Sequence, residues 1–291
     1  MAVIVTHNDM DGFVSKELIK SVIGYQIKEY DVDYSFDHKE LLKEEKDNNL
    51  YITDFSFKPD AFKQLIEHFQ NVIWLDHHQC INDPAYEELN KLEGIRRIGD
   101  CGAKLTMEYL YKAIGIDMDC ISKYQELVNI VDAYDCWKKD SDLYEYGCLL
   151  NTYFYSVENQ HLDKLKAEVD SRFQKAKILN EASKVKKAAM CKAKSYEITN
   201  TFGLHPDKTK WLVMEGVKGS LNFVAKYNNI KHAGMIAYSY LPKAKLWEVS
   251  IYSDNKAIDC SVICKNLGGG GHKGAAGFQA TTEKMIQLGI F

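Results

Sequence analysis

Apolar positions in the first eighty residues follow two rhythms. Ala2-Val3-Ile4-Val5-Thr6, Leu50-Tyr51-Ile52-Thr53 and Ile73-Trp74-Leu75 are short continuous runs, the pattern of buried strands. Between them Phe13, Leu18, Ile19 and Val22 recur at roughly helical spacing, and Ala61–His68 also reads as a helix. Gln26–Val32 reads as a weaker strand, and a polar helix is expected over about 38–48. Strands separated by helical patterns make βαβ units, whose strands pair in parallel.

Beyond residue 100 the helical rhythm takes over. Leu105, Tyr109, Leu110 and Ala113 form one apolar face that Gly115 ends. Gln125–Val131 and residues 144–157 continue in the same way. Leu162–Lys194 contains neither Gly nor Pro and is rich in Lys, Ala and Glu, as a long helix or pair of helices joining two domains would be. The last hundred residues change character. Strands are expected at Lys210–Met214, Ala233–Tyr240 and Lys245–Ser253, with helices at Ser220–Tyr227 and Ile258–Leu267. The expected architecture is α/β: a parallel-sheet domain over 1–160, a helical linker over 161–195, and a smaller mixed α/β domain over 196–291.

Composition narrows the class without naming a chemistry. With 291 residues, 46% hydrophobic and 27% charged, the chain can bury two large cores and matches ordinary soluble proteins. No run of eighteen apolar residues exists, so no membrane span is expected. Met1–Val5 is too short and lacks the basic flank of a signal peptide. The 8 cysteines include no C-x-x-C pair, which argues against a zinc knuckle and for reduced thiols in the cytoplasm. The net charge of -4 hides a split: residues 1–160 carry 30 acidic against 16 basic side chains, and residues 161–291 carry 11 against 21. An acidic half can collect divalent cations and a basic half can hold phosphate, although two independently solvated surfaces would look the same.

The candidate chemistry lies where the strands end. In open α/β sheets ligands sit at the carboxyl ends of strands. The first predicted strand runs into His7-Asn8-Asp9-Met10-Asp11-Gly12, the second into Asp54 and the third into Asp76-His77-His78. Asp11 alone could cap the following helix. A cap needs one carboxylate, however, and His7, Asp9 and Asp11 together repel one another unless a cation sits among them. Asp132 and Asp135 follow a later helix, and either can join such a site. Near the end, Gly268-Gly269-Gly270-Gly271-His272 is either a bare turn or an anion-binding nest of main-chain N–H groups, and the His among small residues favours a phosphate cradle. Gly269-x-Gly271-x-x-Gly274 formally fits a dinucleotide fingerprint, but no predicted strand directly precedes it. The lysines between 175 and 194 could contact phosphates or simply form a solvated helix face.

Together, His7-x-Asp9-x-Asp11-Gly12, Asp54, Asp76-His77-His78, a later Asp and Gly269-Gly270-Gly271-His272-x-x-Ala275-Ala276-Gly277 resemble the DHH/DHHA1 (RecJ-like) phosphoesterases over nearly the whole chain. Tyr51-Ile52-Thr53-Asp54 and Tyr134-Asp135-Cys136-Trp137 make it most similar to the bacterial nanoRNase B type. The resemblance implies two manganese ions, for which magnesium or cobalt would also suit the donors. It assigns His7, Asp9 and Asp54 to one ion, and Asp11, Asp54, His77 and a fourth-motif Asp to the other. For that Asp, the Tyr-Asp-Cys-Trp context favours Asp135 over Asp132. By the same resemblance Asp76 would orient His77, His78 would face the scissile phosphate, and Gly269, Gly270, Gly271 and His272 would hold the substrate. One departure concerns specificity. Where relatives often carry Arg-Ser, this chain reads Tyr252-Ser253. A tyrosine cannot grip phosphate with a guanidinium fork but can stack on a base.

The expected activity is metal-dependent hydrolysis of short oligoribonucleotides to mononucleotides, with an in-line attack by metal-activated water. Alternatives are a cyclic- or linear-dinucleotide phosphodiesterase and a 3',5'-bisphosphonucleoside phosphatase. A sensor that binds nucleotides without turnover is a further class, disfavoured because every expected ligand is present. The expected partners are short RNA or a dinucleotide, with no long duplex and no membrane; homodimerisation is left open.

Overall fold

The computed structural model describes residues 1–24, 26–113, 119–157, 160–182, 196–199, 210–215, 233–242, 244–253 and 255–291. Two compact units divide the chain, Met1–Leu179 and Asn180–Phe291.

The first unit is built on a four-stranded parallel sheet. Its elements in chain order are β1 (Ala2–His7), α1 (Met10–Ile23), β2 (Ile27–Val32), β3 (Asn49–Thr53), α2 (Pro59–His68) and β4 (Asn71–Leu75). The strand order is β2-β1-β3-β4, with Thr6 opposite Thr53 and Thr53 opposite Leu75. Successive side chains on a strand point to opposite faces. Ala2, Ile4, Tyr51, Ile73 and Leu75 therefore enter one core, and Val3, Val5, Leu50, Ile52 and Trp74 enter the other. Burial on both faces is why these strands are apolar throughout rather than alternating.

The polar helix expected near 38–48 is instead a short 3-10 helix, His38–Lys43, capped by Asp37. Leu41 is the one residue of that helix that is buried, so the segment has no apolar stripe to hold a longer helix against the sheet. The later helices are α3 (Gly102–Ala113), α4 (Asp119–Ser122), α5 (Gln125–Asp135), α6 (Leu143–Ser156) and α7 (Leu162–Asp170). Ile130, Val131 and Ala133 are buried, and the helix they stabilise runs past Val131. Asp132 and Asp135 consequently lie in its last turn rather than in a following loop. Of the stretch expected as a linker, Leu162, Leu165, Val169, Phe173 and Ala176 pack into the first unit's core. Helix resumes over residues 174–182, and the rest of the lysine-rich run lies outside the described residues.

The second unit carries a six-stranded mixed sheet. Its strands are β5 (Tyr196–Thr199), β6 (Lys210–Glu215), β7 (Gly234–Leu241), β8 (Leu246–Tyr252), β9 (Gly270–His272) and β10 (Ala275–Ala280), in the order β5-β6-β7-β8-β10-β9. β6 and β7 are parallel, and the other described pairs are antiparallel. Helices α8 (Cys260–Asn266) and α9 (Thr282–Gln287) supply Ile263, Cys264 and Met285 to a core with Val249, Ile251 and Phe278. The expected helix Ser220–Tyr227 lies outside the described residues. The glycine run is not a free loop: Gly270 and Gly271 pair with Gly277 and Ala276 as an edge strand. A Cβ on Gly269 would run into the Gly277 carbonyl, and Gly271 has φ +134°, so both positions require glycine. Among the described residues no helix is long and apolar enough to cross a membrane.

Candidate functional site

Parallel register delivers the site. Because Thr6, Thr53 and Leu75 share one row across the sheet, the next residues, His7, Asp54 and Asp76, emerge side by side at one rim. His7 Nδ1 lies 2.7 Å from Asp9 Oδ2. Asp9 is also the N-cap of α1, its Oδ1 accepting from Gly12 N at 2.9 Å. Burial alone would raise the Asp9 pKa, but His7 and the Gly12 N–H hold it below the usual carboxylate range.

Asp11 caps a helix, but not its own. Its two oxygens accept from Gly102 N at 2.7 Å and Ala103 N at 2.8 Å, the start of α3 some ninety residues later. No local sequence signal marks that contact. Gly102 is required by it: a Cβ there would lie 2.6 Å from Asp54 Cβ and 3.0 Å from Asp11 Oδ2. Burial and then Asp135 push Asp11 up to about 6.

Asp54 stands at the centre. It is 2% exposed and has φ +53°, a left-handed conformation that Asp tolerates better than most residues. Its main-chain N–H donates to Leu75 O, and its Oδ1 lies 3.0 Å from His77 Nε2. Asp54 Oδ2 is buried and has no hydrogen-bond partner among the described residues. Burial, then the neighbouring Asp11 and Asp9, raise its pKa well above the ordinary value. A buried carboxylate oxygen without a donor is costly unless a cation takes it.

The two adjacent histidines differ in partner and in charge. Asp76, fully buried, accepts from His78 Nδ1 at 2.7 Å through Oδ1 and from the Ser56 hydroxyl through Oδ2. The expectation that Asp76 orients His77 is therefore corrected. The backbone after β4 turns the neighbouring ring, His78, back onto Asp76, and His77 Nε2 instead faces Asp54, Asp135 at 3.4 Å and Asp11 at 3.7 Å. Burial would lower the His78 pKa, but Asp76 raises it to about 9, so the ring is an imidazolium at neutral pH. His78 in turn holds Asp76 down at about 2 against its burial. Burial and the charge on His78 lower the His77 pKa, leaving a neutral ring suited to ligation. Cys136 Sγ lies 3.9 Å from His77 Nδ1, a neighbour that sequence reasoning missed.

Asp132 and Asp135, three apart on α5, are sorted by their surroundings. Asp132 accepts from Cys101 N at 2.9 Å and pairs with Lys138 at 2.5 Å and Lys104 at 3.3 Å, away from the cluster. Asp135 faces His77, and burial followed by Asp9 pushes it up to about 7. Donor atoms of His7, Asp9 and Asp54 lie within 4.8 Å of one another, and so do those of Asp11, Asp54 and His77. Buried, mutually repelling carboxylates beside a neutral imidazole are a donor set that fits divalent cations.

In the second unit, Tyr252 on β8 and His272 on β9 both stand opposite Ala275 on β10, which places them on one face of the sheet with a small residue between. The Ser253 hydroxyl donates to Ala233 O at 2.6 Å and accepts from Asn255 N at 3.1 Å, so it serves the turn after β8. Gly269 and Gly271 serve the close approach of the edge strand, and Gly270 lies between them in the same ladder.

No family model matches the chain, and no curated protein matches it. Solved structures do. A pGpG-specific phosphodiesterase, PggH from Vibrio cholerae, superposes with TM-score 0.52 at 14% identity, over 100% of this chain and 97% of its own. An uncharacterized protein from Helicobacter pylori gives TM-score 0.47 at 16% identity, over 100% and 98%. An exopolyphosphatase-related protein from Bacteroides fragilis gives TM-score 0.49 at 13% identity, over 99% and 90%. The likeness to the Vibrio protein establishes a shared fold.

Proposed function

We propose that the chain is a divalent-metal-dependent phosphodiesterase that hydrolyses short oligoribonucleotides, linear dinucleotides among them, to mononucleotides. The observation that carries this reading is Asp54, whose buried carboxylate belongs to both donor groups and has one oxygen left without a protein donor. His7, Asp9 and Asp54 would hold one cation, and Asp11, Asp54, His77 and Asp135 a second, with manganese the expected ion. Such ions would neutralise phosphoryl charge and lower the pKa of a water. His78 is the proton donor of the site: its Nδ1 is fixed by Asp76, and Nε2 of the imidazolium donates to a phosphate or departing oxygen. Burial keeps His77 neutral, so its Nε2 lone pair serves ligation. In the second unit the Tyr252–Ala275–His272 row is assigned to substrate holding, with Ala275 leaving room between the two rings.

The Vibrio protein is described as pGpG-specific, which makes a linear dinucleotide the first substrate to test. The purified chain with manganese should release mononucleotides from a labelled dinucleotide and a five-mer faster than it acts on cyclic dinucleotides or 3',5'-bisphosphoadenosine. Chelation should stop the reaction and added manganese restore it. Faster turnover of the bisphosphonucleoside would make it a phosphatase instead. Nucleotide binding with no turnover of any phosphoester would make it a sensor.

A further inference from the structure

Beside the cation donors, the first unit has a cavity of about 340 Å³, most of whose lining the proposed chemistry does not use. That volume lies in the range of small-molecule sites, about 300–1,000 Å³. His7 and Asp9 form one side of it, and α1 and β2 form the floor. Lys16 and Lys20 stand one turn apart on α1, while Glu29 and Asp31 stand two apart on β2, so the two spacings match and charges alternate between the elements. Lys16 Nζ lies 2.5 Å from Asp31 Oδ1 and 3.4 Å from Glu29 Oε2, and Lys20 Nζ lies 2.8 Å from Glu29 Oε1. The Lys16 side chain is 5% exposed, whereas Asp31 is about half-exposed, at 48%.

The lining is rich in acceptors. Beyond the carboxylates of Asp9, Glu17, Glu29 and Asp31, Gln160 donates its side-chain N–H groups to the carbonyls of Val157 and Phe154, which leaves its Oε1 buried without a hydrogen-bond partner among the described residues. Phe13 and Phe154, with ring centroids 5.4 Å apart and planes inclined by 53°, add an aromatic corner against which a flat ring can lie on one face. A ligand matched to this cavity is planar, aromatic and presents adjacent N–H donors beside one acceptor.

We infer that this cavity is a base-recognition subsite for guanine. Among the four RNA bases, guanine alone carries two neighbouring N–H donors, N1–H and N2–H, on its Watson–Crick edge. A carboxylate accepts both in a bidentate pair, and O6 alongside them accepts from an ammonium such as that of Lys16. Adenine and cytosine each place an acceptor where the carboxylate needs a donor, and uracil offers a single N–H between two carbonyls. Asp31 is the principal reader and Glu29 the second acceptor. Because His7 and Asp9 border the same cavity, a base held there belongs to the nucleotide whose phosphate lies at the cation donors. The inference rests on the reading of that centre as a phosphodiesterase.

The test compares 5'-phosphorylated GG and AA dinucleotides with manganese, using the wild-type chain, Asp31→Asn and Glu29→Gln, together with calorimetric binding of GMP and AMP. The wild type should favour GG in kcat/KM by about tenfold or more, the scale of one bidentate base contact. Asp31→Asn exchanges an acceptor for a donor and should collapse the GG/AA ratio at least tenfold, with Glu29→Gln lowering it less. Equal wild-type rates on GG and AA overturn the inference. So does a guanine preference that survives both substitutions. If no dinucleotide is cleaved, the phosphodiesterase reading fails. The binding arm then decides alone: tighter GMP than AMP binding, lost in Asp31→Asn, supports the subsite, and equal affinities refute it.

Discussion

At the rim of the parallel sheet, Asp11 and Asp54 are buried beside the partly buried Asp135, and all three pKa values are raised. In the six-stranded sheet the comparable polar groups are satisfied locally. Asp259 caps α8 through Ser261 N at 3.0 Å, and Ser253 closes the turn after β8. The difference lies in what each sheet is packed for. The second achieves close main-chain contact, with glycines where any Cβ would collide. The first gathers like charges that weaken the fold when no cation is present, which is how a site comes to be organised ahead of its ligand.

The sharpest way to break this contrast is at Asp54. Asp54→Ala should lower turnover by roughly a thousandfold or more, since one side chain serves both donor groups. Near-normal activity would sink the two-cation assignment. In chelator the sign reverses. Asp54→Asn keeps a residue that tolerates φ +53° and removes the buried charge, so it should raise the thermal midpoint of the metal-free protein.

The next largest effect separates the two aspartates of α5. Asp135→Ala should cost about a hundredfold or more in activity, on the scale of a weakened metal site. Asp132→Ala should act mainly on stability, by about 1–3 kcal/mol, because it strips partners from Cys101 N and two lysines. Activity assays and denaturant midpoints on the two variants would overturn the assignment if their order were reversed.

A substitution in the other sheet tests whether its role is shape. Gly269→Ala should destabilise the protein by about 1–3 kcal/mol through backbone collision. Its calorimetric manganese affinity should match wild type. A loss of metal binding would tie the glycine strand to the cation centre.

The smallest expected effect is on pH dependence. Asp54 and Asp135 have raised pKa values in the folded chain, and so does His78, at about 9. A group of this kind contributes stability that is present below its unfolded pKa and lost as pH rises through its folded pKa. Urea midpoints in chelator should therefore fall between about pH 6.5 and pH 8.5. Manganese at about a hundred times its Kd should add about 2.7 kcal/mol and flatten the trend. A midpoint that rises over this window without metal would contradict the charge assignment.

Much of this centre was legible from residue order. A continuous apolar run followed by His or Asp marks a strand end, and His7, Asp54 and Asp76 follow such runs. The contact of Asp11 with the start of α3 was not legible, because residue 11 and residues 102 and 103 meet only through packing of α1 on α3. Nor was the partner of Asp76. Sequence adjacency favours both histidines equally, and the turn after β4 decides that His78 folds back while His77 faces Asp54. The glycine run was readable as a bare turn or an anion nest but not as the edge strand it forms, since a nest and an edge strand place the same demand on side-chain size.

By itself, then, the sequence determined the alternation of elements, the parallel sheet and the residue types at its rim, because hydrophobic period and strand-end chemistry are local properties. Tertiary structure alone decided which carboxylates are buried together, which histidine carries charge, and which face of α1 and β2 closes the acceptor-lined cavity. Those outcomes depend on distances between segments far apart in the chain, and electrostatic coupling and desolvation exist only once such segments meet.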